Sequence, residues 1–141
     1  MSIRRFTPDF ITSLDDNEVF VFGSNTMGLH GGGAAETARL FFGAEWGIAE
    51  GFRGSSYAIP STWLDKTPEE EQLVKMQESV DRFAEFVKNH PDLTFYVTKI
   101  GCGIARHKTE DMALLFEKLV DADNVILPEE FVNIILDKRN S

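Results

Sequence analysis

An α/β fold is predicted for this chain: one three-layer domain whose mostly parallel central sheet is flanked by helices. Three observations predict it. Short apolar, strand-forming runs alternate with stretches of helical spacing from Val19 to Ile135. The first run, Val19–Phe22, is apolar at every position, as a central strand covered on both faces requires. Two runs end in glycine-rich turns that lead into helices, the arrangement that puts ligands outside the C-terminal ends of parallel strands. The 141 residues suffice for one domain, 1–141, with a real core and are too few for two ordinary ones.

Each element has its own signal. Phe6–Asn17 reads as an irregular entry, with Pro8 and Asp15-Asp16-Asn17 turning the chain. After Val19–Phe22, Gly33–Phe42 reads as a helix whose small residues Ala34, Ala35 and Ala38 allow close backbone approach. Glycines are too frequent between Gly43 and Gly54 for a helix, so a strand or loop is expected around Ala44–Ala49. Ser56–Ile59 is a short strand stopped by Pro60. Thr67-Pro68-Glu69-Glu70 supplies an N-cap, a proline at the first helical position and a capping-box glutamate. Leu73, Met76, Val80, Phe83 and Val87 then keep helical spacing up to Asn89-His90-Pro91. Leu93–Ile100 is a strand, and Thr109 caps a helix with Met112, Leu115, Phe116 and Leu119 on its apolar face. Asn124–Leu127 is a last strand, and Pro128-Glu129-Glu130 opens a helix carrying Phe131, Ile134 and Ile135.

Composition narrows the class. A hydrophobic fraction of 43% and a charged fraction of 26% are those of a soluble globular protein. No apolar stretch approaches membrane-spanning length, and the two arginines of MSIRRFTPDF precede no apolar signal region. The single cysteine, Cys102, excludes an internal disulfide and a cysteine-based zinc site, and a cytoplasmic protein is expected. Acids outnumber bases 23 to 14, which argues against an extended nucleic-acid surface. A small anionic ligand held by backbone amides remains compatible, because local dipoles suffice.

Gly31-Gly32-Gly33 places three residues without Cβ before an Ala-rich helix, so a phosphate oxygen can reach main-chain N–H groups. The alternative is a flexible turn. The run lacks the Gly-Lys-Ser or Gly-Lys-Thr ending of a Walker loop and the spacing of a dinucleotide fingerprint. The second loop is Gly101-Cys102-Gly103-Ile104-Ala105. Cys102 is no phosphatase nucleophile, since Lys108 stands where that loop needs arginine; a small buried thiol is the plainer role, although a helix N-terminus would lower its pKa. Asn25 either bonds a ribose hydroxyl or satisfies its own turn. His30 and His107 lie in the two loops, each able to orient a ligand or move a proton, and are read as solvated. Glu50, between glycines, is a candidate general base on water, with His30 behind it. Phe52, Tyr57 and Trp63 are stacking candidates, and core packing is the default for Tyr57. No set of residues calls for a metal or another cofactor.

In these strings, GSNTMGLHGGGAA, IPST and KIGCGIA in that order, the chain resembles the macrodomains, modules that bind ADP-ribose and in some members hydrolyse its conjugates. The similarity runs from about Val19 to Leu119 and is nearest to a small, divergent bacterial or phage branch. The resemblance implies that Asn25 meets the distal ribose, and that Gly31, Gly32 and Gly33 approach it and the diphosphate. It implies that Gly101, Cys102, Gly103, Ile104 and Ala105 wrap the diphosphate's other side. The family's adenine-reading acid has no clear counterpart in Met1–Asn17. Three functions follow from it: a hydrolase acting at the distal ribose, a reader of free or protein-attached ADP-ribose, or an interaction protein with a relic pocket.

Overall fold

The computed structural model describes residues 4–28, 33–103 and 105–141. Five strands form one sheet: β1 (Glu18–Asn25), β2 (Gly51–Arg53), β3 (Ser56–Thr62), β4 (Thr94–Val97) and β5 (Val125–Ile126). Their spatial order is β2-β3-β1-β4-β5. β1 pairs in parallel with β3 and β4, and β4 in parallel with β5; β2 alone runs antiparallel, against β3. The helices are α1 (Gly33–Phe41), α2 (Glu69–Lys88), α3 (Thr109–Leu115) and α4 (Glu129–Arg139), with a 3-10 turn at Glu117–Leu119.

The alternation along β1 divides the interior into two layers. Val19 and Val21 face α2, α3 and α4, packing with Tyr57, Ile59, Phe83, Phe95, Met112, Phe116 and Phe131. Phe20 and Phe22 face the other way, where Ala35 and Ala38 of α1 close over them with Phe42 and Ala58. Ala38 is completely buried, so the small residues at the start of α1 bring that helix close to the sheet. The three-layer α/β expectation therefore stands, on a mixed sheet. No helix of the described residues is long and apolar enough to cross a membrane.

Four local expectations are corrected. β3 does not stop at Pro60 but runs through it to Thr62. Phe20 N–H donates to Ser55 O at 2.8 Å, so odd-numbered residues of this stretch turn their amides to β1 and Pro60 turns its missing donor to the β2 side. β2 begins there only at Gly51, opposite Ala58, so no ladder bond is lost. β4 ends at Val97, not Ile100, because Ile100 N–H turns back to Thr98 O at 2.7 Å. The capping box at α2 does not form: the Thr67 hydroxyl and N–H both donate to the Asp65 carboxylate, a stronger charged acceptor, and Pro68 stands at the cap. Thr109 is the first residue of α3 rather than its cap, with Lys108 before it. The segment between α1 and β2 is loop, within the expected alternatives.

Candidate functional site

β1 leads through α1 to β3 on one side; β3 leads through α2, on the opposite face, to β4 on the other side of β1. The strand order reverses at β1, and at such a point the C-terminal strand ends diverge and leave a crevice. A cavity of about 920 Å³ opens there. Its floor is Gly23, Ser24 and Asn25 of β1, Ser61 and Thr62 of β3, and Thr98 after β4. One wall is the start of α1, with Gly33, Ala34 and Ala35; the facing wall is Gly101, Cys102, Gly103 and Ala105. Gly33, the last residue of the first glycine run, and the described residues of the second glycine loop, far apart in sequence, thus border one space. Gly31, Gly32, His30 and Ile104 lie outside the described residues.

Several side chains are assigned definite work. Asn25 Oδ1 accepts the Met27 N–H at 3.0 Å, closing a turn at the lip of the cavity that the residue also lines. Ser24 donates its hydroxyl to Ala49 O, and Ser61 donates to Ser24 O at 3.4 Å, tying β1, β3 and the loop before β2 together beneath the floor. Cys102 is half-buried in the wall, and burial pushes its thiol up rather than down, so a helix terminus does not activate it. Arg106, three residues before α3 begins at Thr109, has a left-handed φ of 59°. That strained residue sits where the chain turns from the loop toward α3.

Two expectations for titratable residues change. Glu50 does not line the cavity. Its carboxylate accepts from Arg82 Nε at 2.6 Å and Nη2 at 2.9 Å, and from the Ser79 hydroxyl at 3.0 Å. These bonds, Arg82 first, hold it below the usual glutamate range, the wrong direction for a base working near neutrality. His107 is not a solvated loop residue: it is 8% exposed. Its Nε2 lies 2.6 Å from Ser61 O and its Nδ1 2.7 Å from a Glu69 carboxylate oxygen. The stacking candidates also move. Tyr57 is buried in the core, its hydroxyl pushed up to about 12 mainly by desolvation, and Phe52 packs against Phe86 at 5.3 Å. Trp63 packs against the same core, and none of the three lines the cavity.

The cavity takes aromatic and charged groups from elements that the periodicity marks, and Asp9 and Phe10 from the irregular entry that it does not. Phe10 and Phe41, 89% and 67% exposed, stand at its mouth, with Phe20 deeper. Asp9 and Lys99 are the charged residues among its described lining. Lys99 Nζ pairs with Glu130 at 3.0 Å, which with its other acidic neighbours raises its pKa and keeps it cationic. The signal for Asp9 and Phe10 was present in the sequence as an acid and an aromatic inside an irregular segment, but only the fold brings residues 7–12 over the end of β1. Among the described residues no cluster of histidine, cysteine or carboxylate side chains could hold a metal ion.

The described wall is thus largely apolar, with one carboxylate, one ammonium, Gly33 and the Gly101–Gly103 loop: it can seat a flat ring and present amides to an anion. Comparison with protein-family models, with curated proteins and with solved structures finds no match for the chain.

Proposed function

We propose that the cavity binds ADP-ribose or a related nucleoside diphosphate, in the manner of a macrodomain-like reader. The observation that carries this reading is the convergence of Gly33 and Gly101–Gly103 on one cavity at the switch point of a largely parallel sheet. The diphosphate lies between the loops, the ribose near Asn25 and the base toward Phe10 and Phe41 at the mouth. In this reading Asp9, on the cavity lining, accepts from an exocyclic amine of the base. The neutral loops and Lys99 answer the ligand's charge despite the acidic chain. Binding without turnover is favoured over hydrolysis because Glu50, the leading catalytic candidate, is engaged by Arg82 and Ser79 away from the cavity.

Calorimetric titration with ADP-ribose, against ATP and ribose phosphate, tests the reading. Selective micromolar binding is expected. Gly103→Val should abolish it while shifting the melting temperature by no more than about 2 °C, because a Cβ at Gly103 would meet nothing within 4 Å. Silence toward all three ligands, or unchanged binding by Gly103→Val, would overturn it.

A further inference from the structure

The second glycine loop is held from behind by one buried ring. His107 does not line the cavity, but it touches Gly101 of one wall and Ser61 of the floor, both of which do. Its backbone N–H donates to Gly101 O at 2.8 Å, at the start of the loop. Its ring packs so closely beneath Gly101 that a Cβ there would lie 3.1 Å from Cδ2. Across the gap, Nε2 meets Ser61 O at 2.6 Å, at the end of β3, and Nδ1 meets Glu69 Oε1 at 2.7 Å, on the first residue of α2.

Both ring partners are acceptors: one is a carbonyl oxygen, the other a carboxylate. A neutral imidazole has a single N–H and can donate to only one of them. The imidazolium donates to both. With one proton gone, a lone pair faces an acceptor at hydrogen-bond distance in a site where the side chain is 3% exposed, and that contact turns repulsive. Among charged groups, α2 presents Glu69, 55% exposed, and the flanking Arg106 and Lys108 are both exposed. β3 offers only the Ser61 carbonyl, and α3 offers Met112, whose sulfur lies under Gly101; neither titrates.

We propose that His107 is a proton-dependent positioning residue for the cavity. As the imidazolium it clamps the Gly101–Gly103 wall against the end of β3 and the start of α2; loss of a ring proton loosens that wall and weakens ligand binding. The effect on ADP-ribose rests on the binding reading above, whereas the clamp itself does not.

The test therefore begins without ligand. Long-range nitrogen–proton NMR of the His107 ring, from about pH 5.5 to about pH 8.5, should show both nitrogens protonated at the acid end. The amides of Gly101 and Gly103 should shift along the same titration curve. Glu69→Gln keeps an acceptor for Nδ1 but removes the negative charge, so the ring and the loop amides should titrate together at lower pH. Calorimetry on both proteins should then show ADP-ribose affinity falling roughly tenfold from the acid to the alkaline arm, with the midpoint moving down in Glu69→Gln. A single neutral tautomer throughout, or loop amides indifferent to the ring, would overturn the clamp. Ring and loop titrating together with no ADP-ribose binding at either end would uphold it and sink the ligand reading instead.

Discussion

Single residues that read alike in the sequence have opposite work in the fold. Gly101 and Gly103 belong to one motif, yet Gly101 has φ 79° and a Cβ there would lie 2.4 Å from the Met112 sulfur. Met112 is fully buried, so making room for a Cβ means repacking the core around it. Gly101→Ala should therefore destabilise the protein by about 1–3 kcal/mol, measured by urea unfolding, before any ligand is added. Gly103 opens on empty space, where a Cβ would meet no packed neighbour. The glycine run was legible as a place where backbone is bared, because absence of Cβ is a property of the residue itself. Which glycine serves packing and which serves the cavity was not legible, because that depends on Met112 and His107, brought in from the far side of the loop. His107 makes the same point more sharply: a histidine after a glycine loop reads as solvated until β3 and α2 close over it.

Among elements, α2 was the clearest in sequence and behaves accordingly. Its apolar spacing places Met76, Val80, Phe83 and Val87 in the core, where each is at most 4% exposed. Its start departs from the capping box that the sequence predicts because capping is a competition, and the Asp65 carboxylate takes both Thr67 donors. Pro60 in β3 is the converse case: proline's missing donor matters only where a neighbour strand needs it, and strand order is not written locally. The outer face of α2 also fastens the loop before β2, through Arg82 and Ser79 to Glu50. Glu50 is held below its ordinary pKa in the folded state. It therefore contributes stability that is complete above the unfolded value and is lost as pH falls through the lower folded value. Glu50→Gln should be less stable than the parent by about 1 kcal/mol at neutral pH, a modest figure because the Arg82 side is 56% exposed and screened. The difference should shrink below about pH 4, as chemical denaturation at a series of pH values would show.

The whole molecule is two apolar layers divided by one sheet, and β1 contributes to both: Val19 and Val21 to the larger, Phe20 and Phe22 to the smaller. The small layer has too few residues to stand without the strand it shares, so the two should unfold together. Trp46, beside Arg39 of α1 at 5.5 Å, and Trp63, against the larger layer, provide separate probes. In Trp46→Phe and Trp63→Phe proteins, fluorescence and far-UV circular dichroism should give coincident thermal transitions; separated midpoints would show the layers melting independently. By itself the sequence determined the order of the four helices and of every strand but the short edge strand β2, the buried faces of β1 and α2, and the two bared stretches of backbone. These follow from periodicity and from residue chemistry that acts over a few positions. Only the tertiary structure decided that Gly33 and the second stretch meet at one cavity, that Phe10, Phe41, Asp9 and Lys99 line it, that Glu50 is withdrawn from it and that His107 is buried behind its wall. The physical reason is that a local pattern records whether a side chain prefers to be covered, whereas the partner that covers it is chosen by crossovers spanning tens of residues.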